Sequence, residues 1–234
     1  LPRALARAQP DVFLAPAYTA PLRLPCPMVA VIHDVSFFAH PEWFGRRDGW
    51  RRRWLTRATG RHARTVLTVS RFSQSEIEKY LRVPANRIRL APPGAPPIGT
   101  ETDSGRSREP VLLYVGSLFN PRRISDLIKP FALASPHLPS PRLVMVGDNR
   151  TSPRLDPLEI AQASGVADRV EWREYATDAE RDALYRSARA FAFLSDYEGF
   201  GMPPLEAMSH GLPAIVLDTA VSREVYDEAV MRVP

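Results

Sequence analysis

Ser195-Asp196-Tyr197-Glu198-Gly199-Phe200-Gly201-Met202-Pro203-Pro204-Leu205-Glu206-Ala207-Met208 follows the apolar run Ala190–Leu194 and leads into a helical pattern over Pro204–His210. A strand therefore passes through a glycine-bearing turn into a helix. Gly199 and Gly201 let backbone N–H groups come close to a ligand, and Pro204 suits the first turn of a helix. The start of that helix carries unsatisfied donors and the positive end of its dipole, which together make an anion site. Gly211 stops the helix. Glu198 and Glu206 stand out, because carboxylates repel phosphates. They make sense as acceptors for hydroxyls on either side of a phosphate, a sugar on one side and a ribose on the other. The competing reading is a surface turn with a glutamate early in the helix.

The same strand-then-helix alternation runs along the chain. Asp11–Ala15, Met28–Ile32, Thr65–Val69 and Ile88–Leu90 read as strands, as do Val111–Val115, Arg142–Val146, Val170–Trp172, Ala190–Leu194 and Ala214–Leu217. Helical patterns fall at Leu1–Gln9, Trp43–His62, Ser73–Leu81, about Arg123–Ser135, Pro157–Gly165, Ala179–Ala188 and Pro204–His210. Ser73 with Glu76 three residues on has the spacing of a capping box. Alternation of this kind specifies an α/β fold with parallel, doubly wound sheets. Such sheets bind ligands beyond the carboxyl ends of their strands, so functional residues are sought just after each strand. Residues 98–110 change to Gly, Thr, Ser, Asp, Glu and Arg with little to bury. That is linker chemistry, and it separates a domain over 1–97 from one over 111–234.

Composition narrows the field. The 234 residues are 44% hydrophobic and 24% charged, enough for packed cores and too apolar for wholesale disorder. One cysteine, Cys26, excludes an internal disulfide framework and a thiolate metal cluster. No apolar run approaches the ~20 residues of a spanning helix, and nothing reads as a signal peptide, so a cytoplasmic protein is expected. Of the 31 basic residues all but Lys79 and Lys129 are arginine. The net charge of +5 is uneven: residues 1–105 hold 16 basic and 8 acidic side chains, residues 106–234 hold 15 and 18. The basic half suits nucleic acid, an anionic membrane or a phosphorylated ligand.

Glu198 and Glu206 form an E-x7-E pair within EGFGMPPLEAMSHGLP (198–213), which resembles the donor-site signature of retaining GT-B glycosyltransferases of family GT4. VLLYVGSLFNPRR (111–123), LVMVGD (143–148), VIHDVSFFAHPEWF (31–44) and LTVSRFSQSEI (67–77) resemble further segments of that family, in the right order. The likeness runs from about Asp11 to Glu228. It implies two Rossmann-like domains facing each other across a cleft, the N-terminal one incomplete, with a nucleotide sugar held mainly by the C-terminal one. Relatives are longer, so a chain truncated at both ends is expected. The HDVSF and PEWF context looks most like mannosyl- and rhamnosyl-type relatives, commonly builders of surface polysaccharide.

Carried over residue by residue, the resemblance implies that Glu198 bonds donor-sugar hydroxyls. Gly199, Phe200 and Gly201, with Met202 beside them, would offer backbone to sugar and diphosphate, and Glu206 would accept from the ribose. Gly116, Ser117 and Gly147 would belong to the donor-binding site. Most relatives carry arginine where Ser117 stands and lysine where Arg123 stands. Arg122 and Arg123 are two adjacent guanidiniums suited to the negative charge that develops on a leaving diphosphate. Tyr175, after strand Val170–Trp172, is expected beside the base. His33 would face the transferring sugar, and Asp34 would hold either the loop or the imidazole. Glu198, His33, Asp34 and Arg123 are thus the expected catalytic residues. No Asp-x-Asp motif and no His/Cys cluster at ligand spacing occurs, so neither metal nor cofactor is expected. No residue is a convincing nucleophile for a double displacement. Front-face transfer, with the leaving phosphate helping to deprotonate the acceptor hydroxyl, is the expected route to a saccharide or lipid-linked acceptor.

Arg46, Arg47, Arg51, Arg52, Arg53, Arg57, Arg61 and Arg64 are interleaved with Trp43, Phe44, Trp50, Trp54 and Leu55. As a helix this makes an amphipathic surface able to lie on anionic lipid. The alternative is a helix whose Trp50, Trp54 and Leu55 pack on the sheet while the arginines are solvated. Two rivals to an enzyme remain. A basic nucleic-acid-binding protein is opposed by the absence of any zinc-finger, RNP-like or helix-turn-helix signature, so no nucleic acid is expected. The other is a noncatalytic nucleotide-sugar-binding GT-B fragment.

Overall fold

A computed structural model describes residues 2–94 and 107–234. Residues 98–106 of the expected linker lie outside the described residues. The chain divides into two α/β units, one comprising Leu1–Pro93 with Glu198–Phe200, the other Gly94–Tyr197 with Gly201–Pro234.

The first unit contains helix α1 (Pro2–Ala8), strand β1 (Phe13–Ala15), β2 (Met28–Val31), α2 (Ser36–Ala39), α3 (Arg46–His62), β3 (Thr65–Thr68), α4 (Arg71–Leu81) and β4 (Ile88–Leu90). The strands form a parallel sheet in the order β1-β2-β3-β4. Ala30, Ile32, Val66, Ile77, Leu81 and Ile88 are buried at its core. The capping expectation for α4 is corrected: the cap is Ser70, whose side chain accepts from the Ser73 N–H, and the helix opens at Arg71. Ser73 is instead buried in line with Ile77 and Leu81, at the spacing of one helix face.

Trp43 belongs to a separate turn, Pro41–Trp43, and α3 begins after Gly45. Its buried face is made of small residues, Gly49, Thr56, Thr59 and Gly60. A Cβ on Gly60 would lie 3.1 Å from the Val83 side chain, so the helix approaches its neighbours very closely there. No space remains for indoles on that side. The packed-tryptophan alternative is thereby overturned: Trp50 is 64% and Trp54 53% exposed, and only Leu55 is half-buried.

The second unit runs β5 (Val111–Val115), α5 (Ile124–Ala134), β6 (Arg142–Val146), α6 (Pro157–Ala163), β7 (Val170–Arg173), α7 (Asp178–Ser187), β8 (Ala190–Phe193), α8 (Met202–Ser209), β9 (Ala214–Leu217), α9 (Ala220–Tyr226) and β10 (Met231–Val233). All its strands are parallel, in the order β10-β9-β8-β5-β6-β7. The central strands read as continuous apolar runs, as expected of parallel strands buried on both faces, with Leu113, Tyr114, Leu143, Val144, Met145 and Phe191 wholly buried. The chain leaves β5 toward β6 on one side and later returns to β8 on the other. That reversal is the topological switch point of the sheet. The short elements α2, α9 and β10 carry no periodic signal in the sequence.

Candidate functional site

Two turns meet at the carboxyl ends of β5 and β6. Gly116 (φ +149°) donates its N–H to the Val146 carbonyl at 2.8 Å, and Gly147 (φ +147°) donates to the Arg173 carbonyl at 2.9 Å. A Cβ on Gly147 would stand 2.0 Å from the Gly116 oxygen. The turns are stacked backbone on backbone, and only glycine fits between them. Trp172 Nε1 donates to the Gly147 carbonyl at 2.9 Å and holds this arrangement from the side. The Ser117 hydroxyl, then Arg150, holds the Asp148 carboxyl below its ordinary range.

The adjacent arginines do different things. Arg122 lies over the Phe193 ring at 5.0 Å, donates from Nη1 to the Ser117 carbonyl at 2.9 Å, and covers the Gly116 turn so closely that a Cβ there would meet it at 2.7 Å. Arg123, in the left-handed region at φ +38°, turns the other way. It grips Asp196 with two bonds, Nε to Oδ2 at 2.8 Å and Nη2 to Oδ1 at 2.6 Å. It also stands at an apolar cavity of about 640 Å³ lined by Leu127, Phe131, Leu194 and Leu217. That cavity is unsuited to a polyphosphate: among the described residues lining it, only Arg123, Asp126 and Arg189 carry charged side chains. Arg123 stands at the junction between the short turn Asn120–Arg122 and α5, with its backbone in the left-handed region.

Beyond β8, Gly201 (φ +88°) caps α8, and its carbonyl accepts from the buried Tyr226 hydroxyl at 2.7 Å. The helix opens at Met202, earlier than the sequence pattern indicates, with Pro203 and Pro204 in its first turn. Glu206, half-buried, accepts from the Tyr185 hydroxyl at 3.1 Å. Burial first, and the Glu206 charge next, push the Tyr185 phenol pKa upward, so it stays a donor. Its ring is stacked on His210 at 5.2 Å. A rigid phenol thus orients one carboxylate oxygen. Tyr175 is 79% exposed beyond β7.

In the first unit His33 and Asp34 follow β2 directly. Asp34 accepts from the Ser36 N–H at 2.8 Å and from the Tyr18 hydroxyl at 2.9 Å, so of its two expected roles it performs the loop-holding one. The Tyr18 ring stands edge-on to His33 at 5.7 Å. Burial, then Asp34, with a smaller push from Glu198, raises the Tyr18 pKa. Gly199 also belongs to this unit. Its carbonyl accepts from Ser70 Oγ at 2.6 Å, and Ser73 Oγ lies 3.1 Å from it and 2.8 Å from the His33 carbonyl. A Cβ at 199 would be 2.5 Å from the His33 oxygen, so this close approach alone already requires glycine. Glu198 and Phe200, on either side, are half-buried.

Within the first unit the structure therefore brings Glu198, Gly199 and Phe200 to the His33–Asp34 loop. Within the second it places Gly116, Ser117, Arg122 and Gly147 at one pair of turns, and Gly201, Met202 and Glu206 along α8. Sequence reasoning missed Tyr18, Ser70, Tyr185 and Asp196. Asp196 sits inside the opening stretch and its charge was a usable signal. The others lie too far away in sequence from their partners for any spacing rule to join them. Among the described residues no group of three His, Cys, Asp or Glu is placed to hold a metal, and no helix is long and apolar enough to cross a membrane.

Residues 101–233 match the family model of glycosyl transferases group 1, and residues 1–97 match that of glycosyltransferase family 4. The O-antigen chain mannosyltransferase B of Escherichia coli is 30% identical over 93% of this chain and 60% of its own length. The O-antigen chain mannosyltransferase RfbU of Salmonella typhimurium is 27% identical over 86% and 55%. Among solved structures, sucrose-phosphate synthase of Thermosynechococcus elongatus aligns with a TM-score of 0.76 at 18% identity, covering 99% of this chain and 62% of that one. The chain thus spans somewhat over half the length of the curated relatives it matches.

Proposed function

Because the chain belongs to the family of group 1 glycosyl transferases, we propose that it is a portion of a retaining, metal-independent hexosyltransferase. The reaction moves a sugar of the mannosyl type from a nucleotide diphosphate sugar to an acceptor hydroxyl. The acceptor is a saccharide or a lipid-linked saccharide of surface polysaccharide or glycolipid synthesis, reached in the cytoplasm or at the inner face of the membrane. The observation that carries the reading is the pair of glycine turns at Gly116 and Gly147 beside the switch point, with the Arg122 guanidinium over the Gly116 turn. Backbone and Arg122 there suit a diphosphate, which needs close approach and positive charge.

In this reading Arg122 stabilises the charge that develops on the leaving diphosphate. Arg123 is a positioning residue that fixes Asp196 and the loop leading to Glu198. Glu206, held by Tyr185, takes the ribose hydroxyls, and Tyr175 flanks the base. Glu198 takes the sugar hydroxyls. His33 contacts the transferring sugar, while Asp34 and Tyr18 hold its loop. The leaving phosphate accepts the proton of the acceptor hydroxyl as the glycosidic bond forms on the same face. The mannosyl preference rests on the two O-antigen relatives and the HDVSF and PEWF context.

Calorimetric titration with GDP-, UDP- and dTDP-sugars, paired with a hydrolysis assay run with and without a chelator, tests this. Binding of one donor with chelator-insensitive turnover is expected, and Glu198→Ala should abolish turnover while leaving the fold intact. Full activity in that variant sinks the assignment. Binding without turnover in the parent chain favours the noncatalytic reading, for which the withdrawal of Arg123 toward Asp196 is the relevant observation.

A further inference from the structure

Helix α3 presents one stripe that the proposed transfer reaction does not use. Arg46, Trp50, Trp54, Arg57 and Arg61 recur at the four-, four-, three- and four-residue steps of a single helix face, and Arg47 flanks them. All six side chains are exposed, including both indoles. The buried face through Gly49, Thr56 and Gly60 lies roughly 100° away round the helix. The one acid of the helix, Asp48, stands off the stripe and is engaged by Arg52 at 2.8 Å and Arg51 at 3.7 Å. Arg46, Arg47 and Arg61 have no ion pair among the described residues. Arg57 donates from its guanidinium to the Tyr80 carbonyl at 3.1 Å and lies over the Phe38 ring, which holds its head group back against the protein without neutralising the charge.

Two neighbouring indoles left in water lose apolar burial that a soluble helix would normally seek. Indoles and guanidiniums share one favourable environment, the headgroup region of a bilayer, where the ring body enters the acyl boundary and the charge meets lipid phosphates. A nucleic acid would satisfy the arginines and stack single bases on exposed rings. A rigid stripe along 17 helical residues, about 25 Å long, with both rings on the same line as the charges, matches a planar surface better. We propose that α3 docks this chain on an anionic membrane surface, lying in the interface plane with Trp50 and Trp54 inserted and Arg46, Arg47 and Arg61 on lipid phosphates. This deepens the acceptor side of the proposed function, since a surface-bound chain meets a lipid-linked acceptor in two dimensions.

Co-sedimentation of the 234-residue chain with phosphatidylcholine vesicles, with and without phosphatidylglycerol, tests it. Binding is expected with the anionic lipid only, to weaken as salt is raised, and to be accompanied by a blue shift of tryptophan fluorescence. Each neutralised arginine should lower partitioning about fivefold, so Arg46→Gln/Arg47→Gln/Arg61→Gln together should lose on the order of a hundredfold. Trp50→Ala/Trp54→Ala should bind more weakly and lose most of the blue shift. All five positions are exposed, and circular dichroism of each variant checks that the fold is kept. Equal binding to neutral vesicles, or partitioning indifferent to both variants, overturns the proposal. So does a single-stranded oligonucleotide that displaces the vesicles with the same arginine dependence. Donor titration on the same variants should be unchanged, so failure at the membrane and failure at the donor site are read separately.

Discussion

Gly116 and Gly147 show how closely two turns can approach where neither glycine carries a side chain. Each ends a strand at a φ that favours glycine, and the second passes within contact distance of the first. Gly147→Ala forces a Cβ into the Gly116 carbonyl and a strained backbone at once, at a cost of roughly 2–4 kcal/mol. Urea unfolding should show that loss as a lower midpoint with an unchanged slope. Glycines at the ends of apolar runs are legible in the sequence, and so is the expectation that they serve a ligand. Gly199 is a different case, because its lack of a side chain serves the His33 carbonyl in the first place. From sequence a glycine declares that space is needed, without declaring what fills it. The arginine pair makes the same point: of two identical neighbours in sequence, Arg122 covers a turn and Arg123 clamps a carboxylate.

At the scale of elements, α4 is set by Ser70, which accepts from the Ser73 N–H and donates to the Gly199 carbonyl at 2.6 Å. Ser70→Ala leaves the Ser73 N–H uncapped and the Gly199 carbonyl with Ser73 Oγ as its remaining hydroxyl donor, so a loss of about 1–2 kcal/mol is expected, seen as a lower Tm. Ser70→Thr, which keeps the hydroxyl, should recover most of it. The serine-then-glutamate spacing at Ser73 and Glu76 points to the wrong residue because a capping box is a local pattern. The actual start of the helix is decided by where β3 delivers the chain. Helix α3 carries the larger lesson. Its periodicity is readable, yet either face of a helix with tryptophans on one side and glycines on another can be the buried one. Close packing at Gly60 against Val83 selects the small side, and the indoles go to water by exclusion.

For the whole molecule, stability is tied to two phenols. The Tyr18 and Tyr185 pKa values are raised above the ordinary 10, mainly by burial and next by Asp34 and Glu206. A raised folded pKa means the unfolded chain releases the proton first as pH climbs. The stability these groups contribute is therefore complete below about pH 10 and falls above it, by about 1.4 kcal/mol per pH unit for each phenol. Urea unfolding between neutral and strongly alkaline pH should show this fall, and Tyr18→Phe/Tyr185→Phe should flatten it. A slope unchanged in the double variant would show that other groups govern alkaline unfolding. The uneven charge belongs to this scale too. The excess of basic residues over 1–105 includes the arginine-rich face of α3, so it reads as a surface property of one unit, separate from the turns at which a diphosphate is expected.

Strand and helix alternation, the glycine-terminated strands and the E-x7-E stretch were determined by local order along the chain, because period and turn chemistry act over a few residues. They were enough to specify parallel α/β sheets and the family. Strand order in the sheet was decided only by tertiary structure, and with it the switch point between β5 and β8. The same holds for the Tyr185–Glu206 and Tyr18–Asp34 bonds, the split between Arg122 and Arg123, and the exposure of Trp50 and Trp54. Each of these depends on which surfaces meet in three dimensions, and close packing of residues far apart in sequence leaves no local trace from which to read it.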